Sequence, residues 1–219
     1  PAVFALMDYW TFEGWFALQR RLKEPDAPKL KKKVLPGIEL RLMAPMEGRL
    51  NAHVLFSDEI EDQLLRDFQA KLRIELVDLP LSSYALVALA RKVGEDKLKH
   101  HGFKKETVDA DHDTALRAGS TIAEINCDSY KAAITEVPNG LAIGFMPFNT
   151  SDGLEEIKWH AHYAYCLGLF QSSPIFETRD LDTRAAFVGE TTEGNKKWIW
   201  NVQGALGGIP GVAVAGCDA

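Results

Sequence analysis

Five ionisable residues interrupt or closely follow apolar segments that have the length of buried β-strands. They are Asp8, Glu39, His53, Glu124 and Asp218. In parallel α/β folds, functional side chains collect where strands end and loops begin. Carboxylate oxygens and imidazole nitrogens bind zinc, manganese or iron, and both groups also transfer protons. The pattern therefore indicates a divalent-metal site or a proton-transfer site where the strands end.

Each of these residues also has a structural interpretation. Asp8 and Asp218 come directly after apolar strands, where a carboxylate can cap the next helix. Glu39 could belong to an edge strand, and His53 could be a hydrogen-bonded histidine of the core. However, an ionisable group inside a largely apolar strand needs a partner. Both interpretations stay open for Glu39 and His53.

Three other motifs give weaker indications. His160 and His162 fall in a predicted helix, where residues two apart project about 200° from each other, so a surface or packing role suits them better. The segment from Gly189 to Lys196 is close to a P-loop, but Asn195 displaces the lysine and two glutamates would repel phosphate. The basic segment from Lys29 to Lys33 could contact a phosphate backbone, or it could be a solvated loop.

Strands and helices alternate along the sequence. The apolar runs predict strands at Ala2–Met7, Val34–Leu42, Ala52–Phe56, Ile74–Leu79, Ile122–Asn126, Leu141–Phe148, Pro174–Glu177 and Val212–Ala215. Helices are predicted from a Thr11 cap to about Lys23, from a Ser57 cap to about Leu72, and over Ser82–Lys97, Thr114–Ile122 and Leu154–Phe170. The polar segment from His100 to His112 has no clear pattern. The alternation favours a parallel α/β architecture, either a barrel or an open sheet.

Composition excludes several classes of protein. The 219 residues are 46% hydrophobic and 26% charged, which is typical of a globular protein and not of a disordered or collagen-like one. With 25 Lys and Arg against 31 Asp and Glu, the net charge is −6. Three widely spaced cysteines indicate neither a disulfide framework nor a zinc ribbon, which suits a reducing cytosol. No apolar run reaches the ~20 residues of a membrane span.

Five short segments occur in an order that covers nearly the whole chain. They are Met7-Asp8-Tyr9, Thr11 to Gly14, Leu35 to Glu39, His53 to Leu55, and Ala215 to Ala219. This order resembles that of the PHP (polymerase and histidinol phosphatase) superfamily. The stretches Tyr9 to Gly14 and Asn51 to Ser57 are most similar to the PHP modules fused to ATPase domains in TrlF-like bacterial defence proteins. We expect one PHP-like domain over residues 1–219, truncated at both ends.

The resemblance implies a distorted (β/α)7 barrel that cleaves phosphoesters with a metal cluster at the C-terminal ends of its strands. It assigns Glu39 as the carboxylate that bridges metals, His53 as an imidazole ligand, and Asp218 as the carboxylate of the final Asp-Ala-His motif. Asp8 belongs to the Asp-His motif and is a fourth expected ligand. The expected cofactor is a divalent metal ion: manganese, zinc, iron or magnesium.

Two hypotheses follow from the resemblance. In the first, the chain is a cytoplasmic metal-dependent phosphoesterase or nuclease module that works with an ATPase domain or subunit in anti-phage defence. Its substrate is nucleic acid or another phosphorylated molecule, it does not enter a membrane, and homo-oligomers are compatible with it. In the second, the domain is catalytically degenerate and has a binding or structural role.

Two departures from the family pattern support the second hypothesis. Tyr9 stands where the Asp-His motif has its histidine, and Met146-Pro147 is the nearest counterpart of the family's middle histidine. A phenol, with a reference pKa of about 10, binds zinc or manganese poorly at neutral pH. A third reading, another α/β barrel enzyme, stays open because no cofactor motif is present.

Overall fold

The computed structural model of the protein describes residues 3–149, 152–208 and 210–214, without the side chains of residues 159 and 160. Its strands are β1 (Val3–Tyr9), β2 (Lys33–Leu42), β3 (Leu50–Phe56), β4 (Arg73–Ile74), β5 (Leu79–Pro80), β6 (Ala142–Pro147), β7 (Ile175–Glu177) and β8 (Val212–Val214). Its α-helices are α1 (Glu13–Leu22), α2 (Asp62–Lys71), α3 (Ser83–Lys92), α4 (Glu95–His100), α5 (Lys105–Ala110), α6 (His112–Ile122), α7 (Cys127–Thr135), α8 (Trp159–Ser172), α9 (Leu181–Phe187) and α10 (Ile199–Ala205). A 3-10 turn covers Leu154–Glu156.

Six strands form one sheet in the order β1, β2, β3, β6, β7, β8, and β4 and β5 form a separate two-stranded sheet. The pairs β1 with β2, β6 with β7, and β7 with β8 are parallel. Strand β3 is antiparallel to both of its neighbours. The predicted mixture of strands and helices in an α/β fold is confirmed, with a sheet that is mostly parallel.

The antiparallel strand β3 departs from the parallel arrangement that the alternation of elements predicted. Only the seven residues 43–49 separate β2 from β3. A parallel crossover needs about a dozen residues, usually with a helix, whereas a turn of this length returns the chain antiparallel. As a result, the C-terminal half of β2 lies beside the N-terminal half of β3.

One face of the sheet is covered by helices and forms the core. Ile38, Leu40, Ala52, Val54 and Phe56 alternate along β2 and β3 and are buried there. Helices α1 and α2 pack against this face. The ring of Phe12, directly before α1, packs edge-on against the rings of Phe56 in β3 and Phe68 in α2. The opposite face carries the ionisable residues of both strands, because side chains alternate between the two faces.

A helical segment between β3 and β6 docks at one end of the sheet. The amide of Ile125 donates to the carbonyl of Arg41 at 2.7 Å, and the carbonyl of Ile125 accepts from the amide of Met43 at 2.9 Å. The carbonyl of Ser120, at the end of α6, accepts from the indole of Trp10 at 3.0 Å. This segment therefore forms a wall beside the C-terminal end of β2.

Several predicted boundaries were wrong for local reasons. The predicted strand Ile74–Leu79 is a turn between β4 and β5, and Asp78 adopts a positive φ of 52° in it. The predicted helix Ser82–Lys97 is two helices, because Val93 and Gly94 are extended. Ser57 does not start α2, since its hydroxyl closes a local turn by accepting from the amide of Glu59.

Other elements differ in length or were not predicted. The predicted strand Ile122–Asn126 is reduced to isolated bridges at Ile125. The predicted helix Leu154–Phe170 is the 3-10 turn followed by α8, whose backbone is non-helical at His162. Helices α5, α7, α9 and α10 were not predicted, because each has at most nine residues and an apolar helical period is recognised over a longer window.

Candidate functional site

A row of paired residues crosses the sheet where β1 ends. In order across four strands, the row is Tyr9, Glu39, His53 and Phe145. Since directly paired residues of neighbouring strands share a face, these side chains all lie on the face opposite the helix-covered core. Glu39 and His53, which the sequence analysis placed on two separate strands, are thus direct neighbours.

This row borders a polar cavity of about 730 Å³, here called the main cavity. Its lining residues are Tyr9, Glu39, Asn51, His53, Pro147, Asn149, Asp152, Glu177, Arg179 and Asp180. Most of them lie at the C-terminal ends of parallel strands, in the loops that follow, or at the N-terminal end of β3. Four carboxylates against one arginine make the main cavity attractive to a cation.

Glu39 and His53 face each other at close range. The His53 Nε2 atom lies 3.8 Å from Glu39 Oε2, and the two side chains are 15% and 17% exposed. Burial by itself raises the pKa of Glu39, but interactions with the His53 imidazole and the Tyr9 hydroxyl outweigh it. The pKa of Glu39 therefore lies below its ordinary value, and the carboxylate is ionised at neutral pH.

His53 is held in a fixed orientation. Its ring stacks on Phe145 with centroids 4.4 Å apart and an interplanar angle of 13°. Its Nδ1 atom, and the Oδ1 atom of Asn51 two residues earlier on the same face, are buried without a hydrogen-bond partner in the part of the chain that the structure describes. Buried polar atoms are normally paired, so these orphaned atoms mark an incomplete polar site.

Tyr9 closes one side of the main cavity and is not a suitable metal ligand at neutral pH. Burial, and then the neighbouring Glu39 carboxylate, raise the pKa of the Tyr9 phenol, which therefore stays protonated. The guanidinium of Arg41 lies over the Tyr9 ring, 5.7 Å from its centroid. The next residue, Trp10, has a positive φ of 66°, rare for a bulky side chain, and its amide donates to the carbonyl of Glu39 at 3.2 Å.

The other predicted site residues lie elsewhere. Asp8 shares the face of Ile38, and its carboxylate accepts a hydrogen bond of 2.6 Å from the amide of Gly14 in the first turn of α1. This is the helix-capping role that the sequence left open. Glu124 lines a neighbouring cavity and not the main one. Asp218, like Cys217, lies outside the described residues.

Sequence reasoning missed the other acidic residues of the main cavity. Glu177 ends β7, and Asp152 lies in the loop after β6. A signal was present, because both follow predicted strands at the edge where functional groups collect. The Asp152 carbonyl accepts from the amide of Asn51 at 3.0 Å, which ties this loop to β3.

A hydrogen-bond network fixes the far side of the main cavity. Thr178 donates to Asn149 Oδ1 at 2.6 Å, and Asn149 donates to the Thr183 hydroxyl at 3.2 Å. Asp180 caps α9 by accepting from both the amide and the hydroxyl of Thr183, at 2.9 Å and 2.6 Å. The network joins β6, β7 and α9 into one rigid wall.

The residues present fit part of a divalent-metal site. Two ligands of one tetrahedral metal lie about 3.3–3.6 Å apart when their bonds are about 2.0–2.2 Å long. The Glu39–His53 separation of 3.8 Å is close to this range. Within residues 3–149, 152–208 and 210–214, no group of three or more His, Cys, Asp or Glu side chains is placed to hold a metal. Glu39 and His53 are thus the pair whose separation comes close to that of two ligands of one metal.

Comparison with known proteins leaves the function to be argued from this geometry. No protein-family model matches the chain, and no curated protein matches it in a sequence search. Among the described residues, none of the helices has the length and apolar character that crossing a membrane requires.

Proposed function

We propose that this chain is a PHP-type metal-dependent phosphoesterase or nuclease module, acting on nucleic acid or another phosphorylated substrate. The observation that carries the proposal is the ionised carboxylate of Glu39 facing the imidazole of His53 at 3.8 Å, on the border of an acidic cavity. They are two of the four ligands that the resemblance to the PHP superfamily assigned from sequence.

The proposed fold is the distorted (β/α)7 barrel of that superfamily. In support, β1, β2, β6, β7 and β8 all run in the same direction, since β3 is antiparallel to both β2 and β6. Their C-terminal ends therefore meet at one edge, where the main cavity lies. Helices cover the face of the sheet opposite the one that carries Glu39 and His53, just as helices cover the outside of a β/α barrel.

Four residues of the main cavity, Glu39, His53, Asp152 and Glu177, have roles in the proposal. Glu39 and His53 hold a divalent metal, and Asp218 is the third ligand by resemblance. A metal held by these residues would supply Lewis-acid chemistry, which polarises a phosphoryl oxygen and offsets the charge that develops on the phosphate. Glu177 and Asp152 lie on the cavity wall, and either is a candidate general base for an attacking water.

The ATPase partner, the role in anti-phage defence and the cytoplasmic location rest on the resemblance of Tyr9 to Gly14 and of Asn51 to Ser57 to TrlF-like proteins. In that context the phosphoesterase module would act when the ATPase domain or subunit responds to invading nucleic acid.

A catalytically degenerate domain is the second candidate, and Tyr9 favours it. The position that holds a histidine ligand in the PHP superfamily is here a protonated phenol, covered by Arg41. A site that lacks one ligand holds fewer metals and could be unable to cleave a phosphoester. The domain would then only bind a nucleic acid, a nucleotide or the ATPase.

The test compares the metal content and hydrolysis of four proteins. The wild-type chain and its Glu39→Gln, His53→Ala and His101→Ala variants are loaded with Mn²⁺, desalted and analysed by plasma mass spectrometry. Hydrolysis of bis-p-nitrophenyl phosphate is then followed by absorbance. His101→Ala is the matched control, because His101 is a half-buried histidine outside the main cavity.

We expect wild type and His101→Ala to retain manganese and cleave the diester, and the other two variants to lose both. Retention of metal without cleavage in wild type would favour the degenerate domain. Equal metal content in all four folded proteins would sink the metal site at Glu39 and His53.

A further inference from the structure

A second cavity of about 330 Å³, here called the side pocket, adjoins the main cavity. The two share Asp152 as a lining residue. The side pocket lies between the C-terminal half of β2 and the docked helical segment, and its cationic and imidazole side chains are Arg41, Arg49, Lys97, His100 and His101. These residues do not line the main cavity, but Arg41 contacts a residue that does, Tyr9.

Arg41 joins the two cavities. It follows Glu39 by two residues on the same face of β2, a spacing of about 6.6 Å along the strand. Its Nη1 atom donates to the carbonyls of Thr121 at 2.7 Å and Ser120 at 3.3 Å. A guanidinium has five N–H donors, so these two bonds fix its position and leave donors for a ligand.

Arg49 and Lys97 are free to bind an anion. Neither residue forms an ion pair or a side-chain hydrogen bond within the described ranges, whereas other lysine and arginine side chains, such as Arg21, Lys71 and Lys131, do form ion pairs there. Arg49 is half-buried and Lys97 is exposed at the end of α4. The imidazole rings of His100 and His101 pack edge-on beside them, with centroids 5.0 Å apart.

Three carboxylates also line the side pocket: Glu47, Glu124 and Asp152. Glu124 interacts electrostatically with both Lys97 and Arg49, but neither cation forms an ion pair with a carboxylate in the part of the chain described, so they are not neutralised by direct pairing. Glu47 is exposed at the rim, and Asp152 also faces the acidic main cavity. The side pocket therefore offers charged donors next to a cavity suited to a cation.

We propose that the side pocket binds a second, uncleaved phosphate group of the substrate through Arg41, Arg49 and Lys97. This inference rests on the proposed function, in which the scissile phosphate occupies the main cavity, and it narrows the substrate to molecules with at least two phosphates. A nucleic-acid strand and a nucleoside polyphosphate share that chemistry. A phosphomonoester with a single phosphate lacks the second contact.

The experiment measures binding without metal, so that it does not depend on the main cavity holding one. A fluorescein-labelled ten-nucleotide oligothymidylate is titrated with the chain in EDTA, and anisotropy is read at several salt concentrations. The variants are Arg49→Gln, Lys97→Gln and Glu124→Gln. Lys99→Gln is the matched control, because Lys99 lies on the same helix as Lys97 but lines a different cavity.

We expect Arg49→Gln and Lys97→Gln each to weaken binding about tenfold and to lower the salt slope by about 0.7, the value for one phosphate contact on a single strand. Lys99→Gln should bind as wild type does. Glu124→Gln removes a negative charge from the side pocket and should strengthen binding, a gain that a misfolded protein could not produce.

Competition identifies the source of the phosphate. Displacement of the labelled oligothymidylate by thymidine triphosphate at a similar phosphate concentration supports a nucleoside polyphosphate if Arg49→Gln and Lys97→Gln lower the affinity for the triphosphate by the same factor. Displacement by unlabelled oligothymidylate alone supports a nucleic-acid strand. Equal affinities in Arg49→Gln, Lys97→Gln and Lys99→Gln would overturn the proposal, as would the absence of binding to either ligand. Failure of the manganese test with intact oligonucleotide binding would overturn the metal site only.

Discussion

Tyr9 and Glu39 are directly paired across β1 and β2, and the protonated phenol of the first contacts the ionised carboxylate of the second. The hydroxyl stabilises the charge of Glu39 and occupies the place beside it where a further ligand would bind. In the proposed metal site, the Tyr9 hydroxyl would thus stabilise the ligand Glu39 and take the place of a second ligand, which makes position 9 the most informative place to test the proposal.

Tyr9→His should increase the affinity for Mn²⁺ by at least about tenfold, since a neutral imidazole nitrogen binds divalent transition metals and a phenol does not. Isothermal titration of the chain with Mn²⁺ measures the change. Tyr9→Phe serves as the control and should bind no more tightly than wild type. A Tyr9→His variant that folds and binds Mn²⁺ no better than Tyr9→Phe would contradict the assignment of position 9 as a ligand position.

Asp8→Ala should destabilise the fold and leave the metal content unchanged. The Asp8 carboxylate accepts from the amide of Gly14, and loss of a capping carboxylate costs about 1 kcal/mol of the free energy of unfolding. Urea denaturation followed by tryptophan fluorescence measures that cost. The opposite outcome, loss of bound manganese with unchanged stability, would return Asp8 to the set of metal ligands.

Two glycines in helices should respond to alanine in opposite directions. A Cβ atom at Gly119 of α6 would overlap the carbonyl oxygen of Leu86 in α3, so Gly119→Ala should lower the free energy of unfolding by 2 kcal/mol or more, roughly the cost of overpacking. At Gly168 of α8 the nearest atom is Lys131 Cδ at 3.4 Å, an ordinary contact. Gly168→Ala should stabilise the protein by about 0.5–1 kcal/mol. Equal effects in thermal unfolding would mean that α3 and α6 do not pack as closely as described.

Glu124→Gln should make the protein more stable at pH 7 and have no such effect near pH 4. Burial raises the pKa of Glu124 in the folded state, in spite of Lys97 and Arg49 nearby. A carboxyl with a raised folded-state pKa stabilises the fold fully below its unfolded-state pKa of about 4.3, and this stabilisation is lost as the pH rises through the folded-state value.

Urea denaturation of wild type, Glu124→Gln and the exposed control Glu47→Gln at both pH values measures this difference. A gain in stability of Glu124→Gln at pH 7 no larger than that of the control would show that burial of Glu124 does not penalise its charge.

The sequence was sufficient to single out Glu39 and His53, because each is an ionisable residue inside an apolar strand, and both line the main cavity. Their role as metal ligands stays a prediction. The sequence was also sufficient to predict most strands of the six-stranded sheet, because they coincide with apolar runs in the sequence. The pairing of the two residues was not predicted, since it depends on the register of β2 with β3. The short turn over residues 43–49 carried that information, because a connection of this length makes the strands antiparallel.

The rest of the site depends on tertiary contacts that leave little trace in a local pattern. Asp152 is brought to the main cavity by a backbone hydrogen bond to Asn51, about a hundred residues away in the sequence. Arg41 is fixed by carbonyls of Ser120 and Thr121, at the end of a helix in the docked segment. Such contacts can be predicted only when the fold is known. Glu177, by contrast, could have been found from its position at the end of a predicted strand.

The stacking of His53 on Phe145 affects the entropy cost of binding a ligand through His53. A histidine that rotates freely loses rotamer entropy when it captures a ligand, and that loss weakens binding. The His53 ring is already confined between Phe145 and the Glu39 carboxylate when the chain folds. Its side-chain entropy is therefore lost when the chain folds and not when a ligand binds, and in the proposed metal site this preorganisation would partly offset the affinity lost through a tyrosine at position 9.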